Sequence, residues 1–216
     1  MSHPGIMLRT NPDFSAYMAQ LPGHRLLSRS WSPGEAIVRQ GAGIQQVYVI
    51  REGITKCYMR EDNGKDYIFE FLGPGEITGE LEAIRNAPCI CTIEAITPVT
   101  AWTMPHSDFN ALLASDASLN RLVMGELATR LVQTCVRTSY QQVYPLEYGL
   151  LRFLMLQEAQ QVFFSKQDMA AYLGITVRSF NRTLQQLRAK KVIAVDGLQL
   201  DLTRNELDAL LRRFGD

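Results

Sequence analysis

Val177, Arg178, Asn181 and Arg182 stand at spacings that put all four on one side of a helix, and their side chains suit the edges of base pairs. A bidentate arginine–guanine pair is the commonest specific contact in the major groove. Thr176, Ser179, Lys166, Lys190 and Lys191 complete a candidate DNA-binding set, the two lysines near the helix end being suited to phosphate. From Phe164 to Ile193 six basic residues (Lys166, Arg178, Arg182, Arg188, Lys190, Lys191) face one acid, Asp168. A local net of +5 in a chain whose formal charge is zero is an electrostatic footprint for phosphate.

Two short helices would position these residues. Ser165 is a candidate N-cap with Asp168 three residues on, and Met169, Ala170 and Leu173 follow on one face. Gly174 can end that helix in the left-handed region. Thr176 can cap a second helix whose buried stripe is Phe180, Leu184 and Leu187. The pattern is a helix-turn-helix. A solvated amphipathic helix pair in an all-α domain is the bland alternative. Val192 to Leu202, VIAVDGLQLDL, decides between them: Asp196-Gly197 between apolar runs predicts a hairpin, and a hairpin there is a wing. The C-terminal domain therefore reads as a winged helix that binds double-stranded DNA.

Charge is unevenly spread. Residues 1–110 hold nine basic and twelve acidic side chains, 111–162 four of each, and 163–216 nine and six. A nucleic-acid partner thus belongs to the C-terminal third. No apolar run approaches the ~20 residues that span a bilayer, so no membrane association is expected. The N-terminal stretch lacks the order of a secretory signal, and a cytoplasmic protein is expected. Cys57, Cys89, Cys91 and Cys135 then read as thiols, with neither a CxxC pair nor a four-ligand spacing for zinc or an iron–sulfur cluster. His3, His24 and His106 are scattered, with no His-x-His pair to support a cupin-like metal enzyme, and no enzymatic activity is expected.

Before the winged helix the texture changes twice. Phe14, Tyr17, Met18 and Leu21 predict a short helix, and Arg29 to Met104 then breaks into short alternating runs punctuated by glycines. Such runs predict an antiparallel barrel or roll, with Asn63-Gly64 joining two strands as a hairpin. From about Asp116 to Tyr144 a long helix is expected, with an apolar seam through Leu119, Leu122, Val123, Leu127, Leu131, Cys135 and Val136. Val123, Met124, Leu127, Leu131, Thr134 and Thr138 form its candidate dimer interface, because a helix of ~40 Å exceeds what a small roll can cover. The expected fold is α+β: a double-stranded β-roll over 1–115, a dimerisation helix over 116–144 and a winged helix-turn-helix over 145–216.

The ordered set Pro33-Gly34-Glu35, Gln40-Gly41, Tyr48-Val49-Ile50, Gly53, Gly73-Pro74-Gly75 and Gly79-Glu80-Leu81, followed by a winged helix, resembles the CRP/FNR family of bacterial transcription regulators. The resemblance covers nearly the whole chain. It implies a homodimer on a pseudo-palindromic promoter site, with the roll sensing an effector. It also implies a pocket formed here by Gly79, Glu80, Leu81, Cys89, Ile90, Cys91, Thr134 and Cys135. Members that bind cyclic AMP carry an arginine for the phosphate some ten residues after Gly-Glu-Leu; Asn86 to Cys91 has none, and Arg85 is too early. No cofactor is therefore expected. The missing arginine speaks against cyclic AMP and the absence of cysteine before Cys57 against an iron–sulfur cluster. His3-Pro4 faintly resembles the haem-binding branch, but a lone histidine near a terminus is usually solvated, so haem is not expected. An unidentified small-molecule effector, a thiol-reactive signal at Cys89 and Cys91, and a roll that is only a scaffold stay open. Arg182 matches the family's guanine-reading arginine, whereas Arg178 stands where many members have glutamate, so the resemblance implies an unusual half-site. Glu61 and Asp62 at the hairpin tip are either a contact for RNA polymerase or a solvated turn.

Overall fold

A computed structural model of the chain describes residues 7–22 and 26–214; His3, Pro4 and His24 lie outside them. The chain is α+β, and its described residues divide into two compact units, one of residues 8–131 and the other of residues 132–214 with Met7.

The first unit is a roll of two sheets. Its strands are β1 (Leu8–Arg9), β2 (Leu27–Trp31), β3 (Ala36–Val38), β4 (Gln46–Glu52), β5 (Thr55–Arg60), β6 (Asp66–Leu72), β7 (Ile77–Thr78), β8 (Thr92–Ala95) and β9 (Val99–Pro105). One sheet has the order β1-β6-β5-β8-β3 and the other β2-β9-β4-β7. The Asn63-Gly64 turn joins β5 to β6 as expected: Gly64 has φ 77°, and its N–H donates to the Glu61 carbonyl at 2.8 Å. β1, which the sequence did not announce, pairs parallel with β6 at Leu8–Phe71 and Arg9–Leu72.

β4 departs from the expected alternation, with Val47, Tyr48, Val49 and Ile50 all buried. Successive side chains of a strand point to opposite faces, and here both faces are covered. Tyr48 and Ile50 enter the core between the sheets with Ile37, Leu72, Ile93 and Ala101. Val47 and Val49 enter a second core with Phe14, Met18, Met104, Phe109, Leu119 and Val123. That second core is covered by α1 (Pro12–Gln20), α3 (His106–Ser115) and the start of α4 (Ala117–Val143).

The unit boundary falls inside α4, so this helix does not stand apart from the roll along its length. Leu119, Val123, Glu126 and Arg130 follow at spacings of four, three and four, which makes one stripe of the helix, and the roll packs against it. The apolar seam read from the sequence therefore splits. Val123 is 1% exposed in the roll's own core and is not available to a second copy, whereas Met124 at 61% and Leu131 at 66% face outward. Leu127 packs partly against the same core.

The second unit holds the rest of α4 with α5 (Leu146–Gln160), α6 (Lys166–Tyr172), α7 (Val177–Ala189) and α8 (Arg204–Arg212). Leu150, Leu151, Phe153 and Leu154 of α5 are buried with Met169 and Phe180 as the core. The C-terminal half of α4 is held to α6: the Arg137 guanidinium lies 4.4 Å from the Tyr172 ring centroid, and Gln141 Nε2 donates to the Tyr172 carbonyl at 3.1 Å. Thr203 and Glu206 close a reciprocal capping box at the start of α8.

Candidate functional site

Each turn of the α6–α7 pair is fixed by a local hydrogen bond. Ser165 Oγ accepts from the Asp168 N–H at 3.0 Å, and Thr176 Oγ1 accepts from the Ser179 N–H at 3.1 Å. Each bond satisfies a donor that a helix start otherwise leaves open. Gly174, with φ 69°, makes the turn between the helices. Phe180, Leu184 and Leu187 are buried, so the orientation of α7 is set by its apolar side. Val177, Arg178, Asn181 and Arg182 are exposed together on the other side. Lys190 and Lys191 are exposed just past the helix end and Lys166 at the start of α6, while Ser179 is half-buried beside its cap.

The expected wing is a minimal one. Ile193 and Leu200 form an isolated antiparallel bridge, supported by the Ala194 N–H to the Gln199 carbonyl and the Asp201 N–H to the Val192 carbonyl, both 2.9 Å. Regular strands do not develop, because a lone two-stranded hairpin is marginal in water. Arg188 holds the loop instead. Its Nε donates to the Ala194 carbonyl at 3.2 Å and its Nη2 to the Gly197 carbonyl at 2.6 Å. One of the six basic residues of the segment therefore serves the wing's shape. From behind, Glu158 of α5 accepts the Leu200 N–H at 2.9 Å.

In the roll, Gly79 caps α2 (Glu80–Arg85) with φ 88°. A Cβ there would lie 2.6 Å from the Gln46 carbonyl oxygen, so close approach to β4 and the left-handed backbone both demand glycine. Glu80 is buried, and its carboxylate accepts from Arg130 Nη1 at 2.7 Å. Leu81 is half-buried and Ile90 exposed. Cys89 is buried and pinned by the Gly41 N–H on its carbonyl (2.7 Å) and its own N–H on the Ala42 carbonyl (2.9 Å). Burial, then the charge of Glu82, pushes the Cys89 thiol up to about 11. Thr134 and Cys135 are exposed on α4 in the other unit.

Glu80 belongs to a buried polar cluster. Arg9 Nε lies 3.2 Å from Glu76 and 3.3 Å from Glu70, and Arg9 Nη2 donates to Glu126. Arg130 lies 3.2 Å from Glu76 and 2.9 Å from Glu126, and also donates to the Ile77 carbonyl at 2.6 Å. Asn11 Nδ2 donates to the second Glu126 oxygen at 3.0 Å. Burial raises the Glu76 carboxyl to about 7 against the opposing pull of Arg130 and Arg9. Burial raises Glu80 too, whereas at Glu126 the two guanidiniums outweigh burial and lower it. The sequence carried one readable sign of this cluster: Glu126 and Arg130 continue the inward stripe of Leu119 and Val123.

Residues 28–116 match the family model of the cyclic nucleotide-binding domain, and residues 150–213 match that of the Crp-like helix-turn-helix domain. Curated relatives that match most of the chain are regulatory proteins. The chain belongs to the CRP/FNR family. Within the family it is similar to the nitrogen fixation regulation protein FixK of Rhizobium meliloti, 28% identical over 205 residues, which covers 87% of this chain and 88% of that protein. Its fold is like that of FixK2 from Bradyrhizobium japonicum (TM-score 0.72, 20% identity, 86% of this chain and 96% of that one). It is also like that of the c-di-GMP responsive regulator CLP of Xanthomonas campestris (TM-score 0.74, 18% identity, 83% and 96%). Such CRP/FNR relatives are transcription regulators, not enzymes, with a DNA-binding helix-turn-helix. Among the described residues no helix is long and apolar enough to cross a membrane.

Proposed function

We propose that this CRP/FNR protein is a cytoplasmic, homodimeric transcription regulator that reads a pseudo-palindromic duplex site with α7 and senses a signal other than cyclic AMP in its roll. The outward face of α7 carries the reading. Val177, Arg178, Asn181 and Arg182 are exposed together on a helix capped at Thr176 and buried along Phe180, Leu184 and Leu187. A helix so anchored can present its N-terminal half to the major groove, with Lys166, Lys190 and Lys191 near the phosphates. Exposed Met124, Leu131, Thr134 and Thr138 on α4 support pairing with a second copy, which would set two recognition helices about one DNA turn apart.

Two observations weigh against cyclic AMP. No arginine lies between Asn86 and Cys91 to meet a phosphate, and Arg85 is exposed on the last turn of α2. The Glu80 carboxylate is already engaged by Arg130. The likeness to a c-di-GMP responsive regulator is consistent with a fold whose effector differs among members. Selection from a random-sequence duplex pool tests the reading. Two inverted half-sites with centres about 10 base pairs apart are expected, and millimolar cyclic AMP should leave anisotropy-measured affinity unchanged. A pool with no enriched sequence would overturn the DNA reading. A tighter dissociation constant with cyclic AMP would overturn the effector reading alone.

A further inference from the structure

Cys57 and Cys91 meet across neighbouring strands of the five-stranded sheet. Cys57 pairs with Ile93 of β8, and Cys91 stands one residue before that strand begins, diagonal to Cys57. Their sulfurs are 3.0 Å apart, with the Cys57 thiol donating toward the Cys91 sulfur. Cys57 is buried and Cys91 half-exposed, so a small solute can reach the second and not the first. The contact with Cys91, then burial, pushes the Cys57 thiol well above its usual range. Cys89, two residues from Cys91, is fixed by backbone bonds to Gly41 and Ala42.

We propose that Cys57 and Cys91 are an oxidisable dithiol, which hydrogen peroxide converts to a reversible intrachain disulfide. The Cys91 thiolate attacks one peroxide oxygen, the O–O bond breaks, and the departing oxygen takes up a proton and leaves as water. Cys91 is then a sulfenic acid. The Cys57 sulfur attacks the Cys91 sulfur, and the hydroxyl leaves as water with the Cys57 proton. Two thiols give up two electrons, the peroxide accepts them, and two waters are released.

The geometry allows closure but not without movement. A disulfide needs sulfurs about 2.05 Å apart, so they must approach by roughly an ångström. Cys91 lies in a bend, and the β5–β6 register slips between Cys57 and Tyr58, which gives both sides slack. Closure draws the segment before β8 toward β5. That segment is tied to α2 by the Ile90 N–H on Glu82 at 3.4 Å, and α2 begins with Glu80, the partner of Arg130 on α4. Oxidation is thereby coupled to the pair that joins the roll to the long helix. Only this coupling rests on the proposed regulator reading; the disulfide does not.

The test uses the reduced full-length protein and hydrogen peroxide at a few equivalents. Two of the four thiols should disappear, the intact mass should fall by two hydrogens, and dithiothreitol should restore both. A linked Cys57–Cys91 peptide should appear in the wild type and in the Cys89→Ser, Cys135→Ser double variant. It should be lost in Cys91→Ala, whose half-exposed site tolerates truncation, and in Cys57→Ala. A disulfide through Cys89 or Cys135, or oxidation that runs on to sulfinic acid, would overturn the proposal. On the selected duplex, oxidation should change the dissociation constant by about tenfold, and Cys91→Ala should abolish that change. If the disulfide forms and affinity does not move, the coupling is wrong. If reduced protein binds no duplex while the disulfide forms, the regulator reading falls and the dithiol stands.

Discussion

Arginine is used in opposite ways in the two units. Arg178 and Arg182 stand exposed on α7 with only one acid in their segment. Arg9 and Arg130 are enclosed in the roll, each within ion-pair distance of three or more carboxylates. The same guanidinium fork is left exposed to solvent in one case and filled from within the chain in the other. Glu70, Glu76, Glu80 and Glu126 also outnumber the two buried arginines. Full ionisation would enclose a net negative charge, and burial, with a smaller push from Glu126 and Glu70, raises Glu76 to about 7. Availability, then, is decided by what the fold places opposite a charge.

Removing the buried fork is the hardest test of this contrast. Arg130→Met should leave Glu80 and Glu76 undercompensated and lower unfolding free energy by about 3–5 kcal/mol in urea denaturation. Arg182→Ala on the exposed side should stay within about 0.5 kcal/mol of wild type. Equal losses in both would erase the distinction. Next in size is the outer side of α4. Leu131→Glu should cost about 3 kcal/mol or more of association, seen in sedimentation as monomer at micromolar concentration, with the monomer still folded because the site is exposed. A variant that stays dimeric would put the interface elsewhere.

The pH dependence tests the charge imbalance. Folded Glu76 keeps a proton that the unfolded chain has released, so its contribution to stability falls as pH rises from about 4.5 to about 7. A gap of that width corresponds to at most about 3 kcal/mol. Denaturant titrations across this range should therefore show a loss in the wild type that Glu76→Gln removes; identical slopes would assign the imbalance to another carboxylate. At the exposed end, Arg182→Ala should lower affinity for the selected site by about 1–3 kcal/mol and relax preference at one base pair per half-site. Lys190→Ala should weaken all duplexes alike and flatten the salt slope by about one unit. Should Arg182→Ala lose equally on a scrambled duplex, that side chain meets phosphate.

What the sequence made legible was local. Ser165 and Thr176 cap within three residues, and Asn63-Gly64 turns within four, so pattern and structure agree there. Thr203-Arg204-Asn205-Glu206 carried an equally local signal for α8 that went unread. Beyond the stripe position of Glu126 and Arg130 the polar cluster was not legible, because Arg9 finds Glu76 across 67 positions and Glu126 across 117. Val123 misled for a related reason. Periodicity shows that a residue is on an apolar face but not which surface covers it, and here the roll does. The wing was legible as a local signal, since Asp196-Gly197 turns between the paired Ile193 and Leu200, but its short extent was not. Cys57 was passed over because 34 positions separate it from Cys91.

The long reach of the cluster also bears on how the chain is made and how it can be cut. As synthesis proceeds, the strand with Arg9 and the turn with Glu76 leave the ribosome well before Arg130, which follows Glu76 by 54 positions. Until then the carboxylates of the roll lack one of their two counter-ions. A fragment ended at Ser115 would carry that defect permanently. A sensor piece made for ligand screening or crystallisation should run through Arg130, and the place to divide the chain lies between Arg130 and Arg137, whose guanidinium lies over the Tyr172 ring.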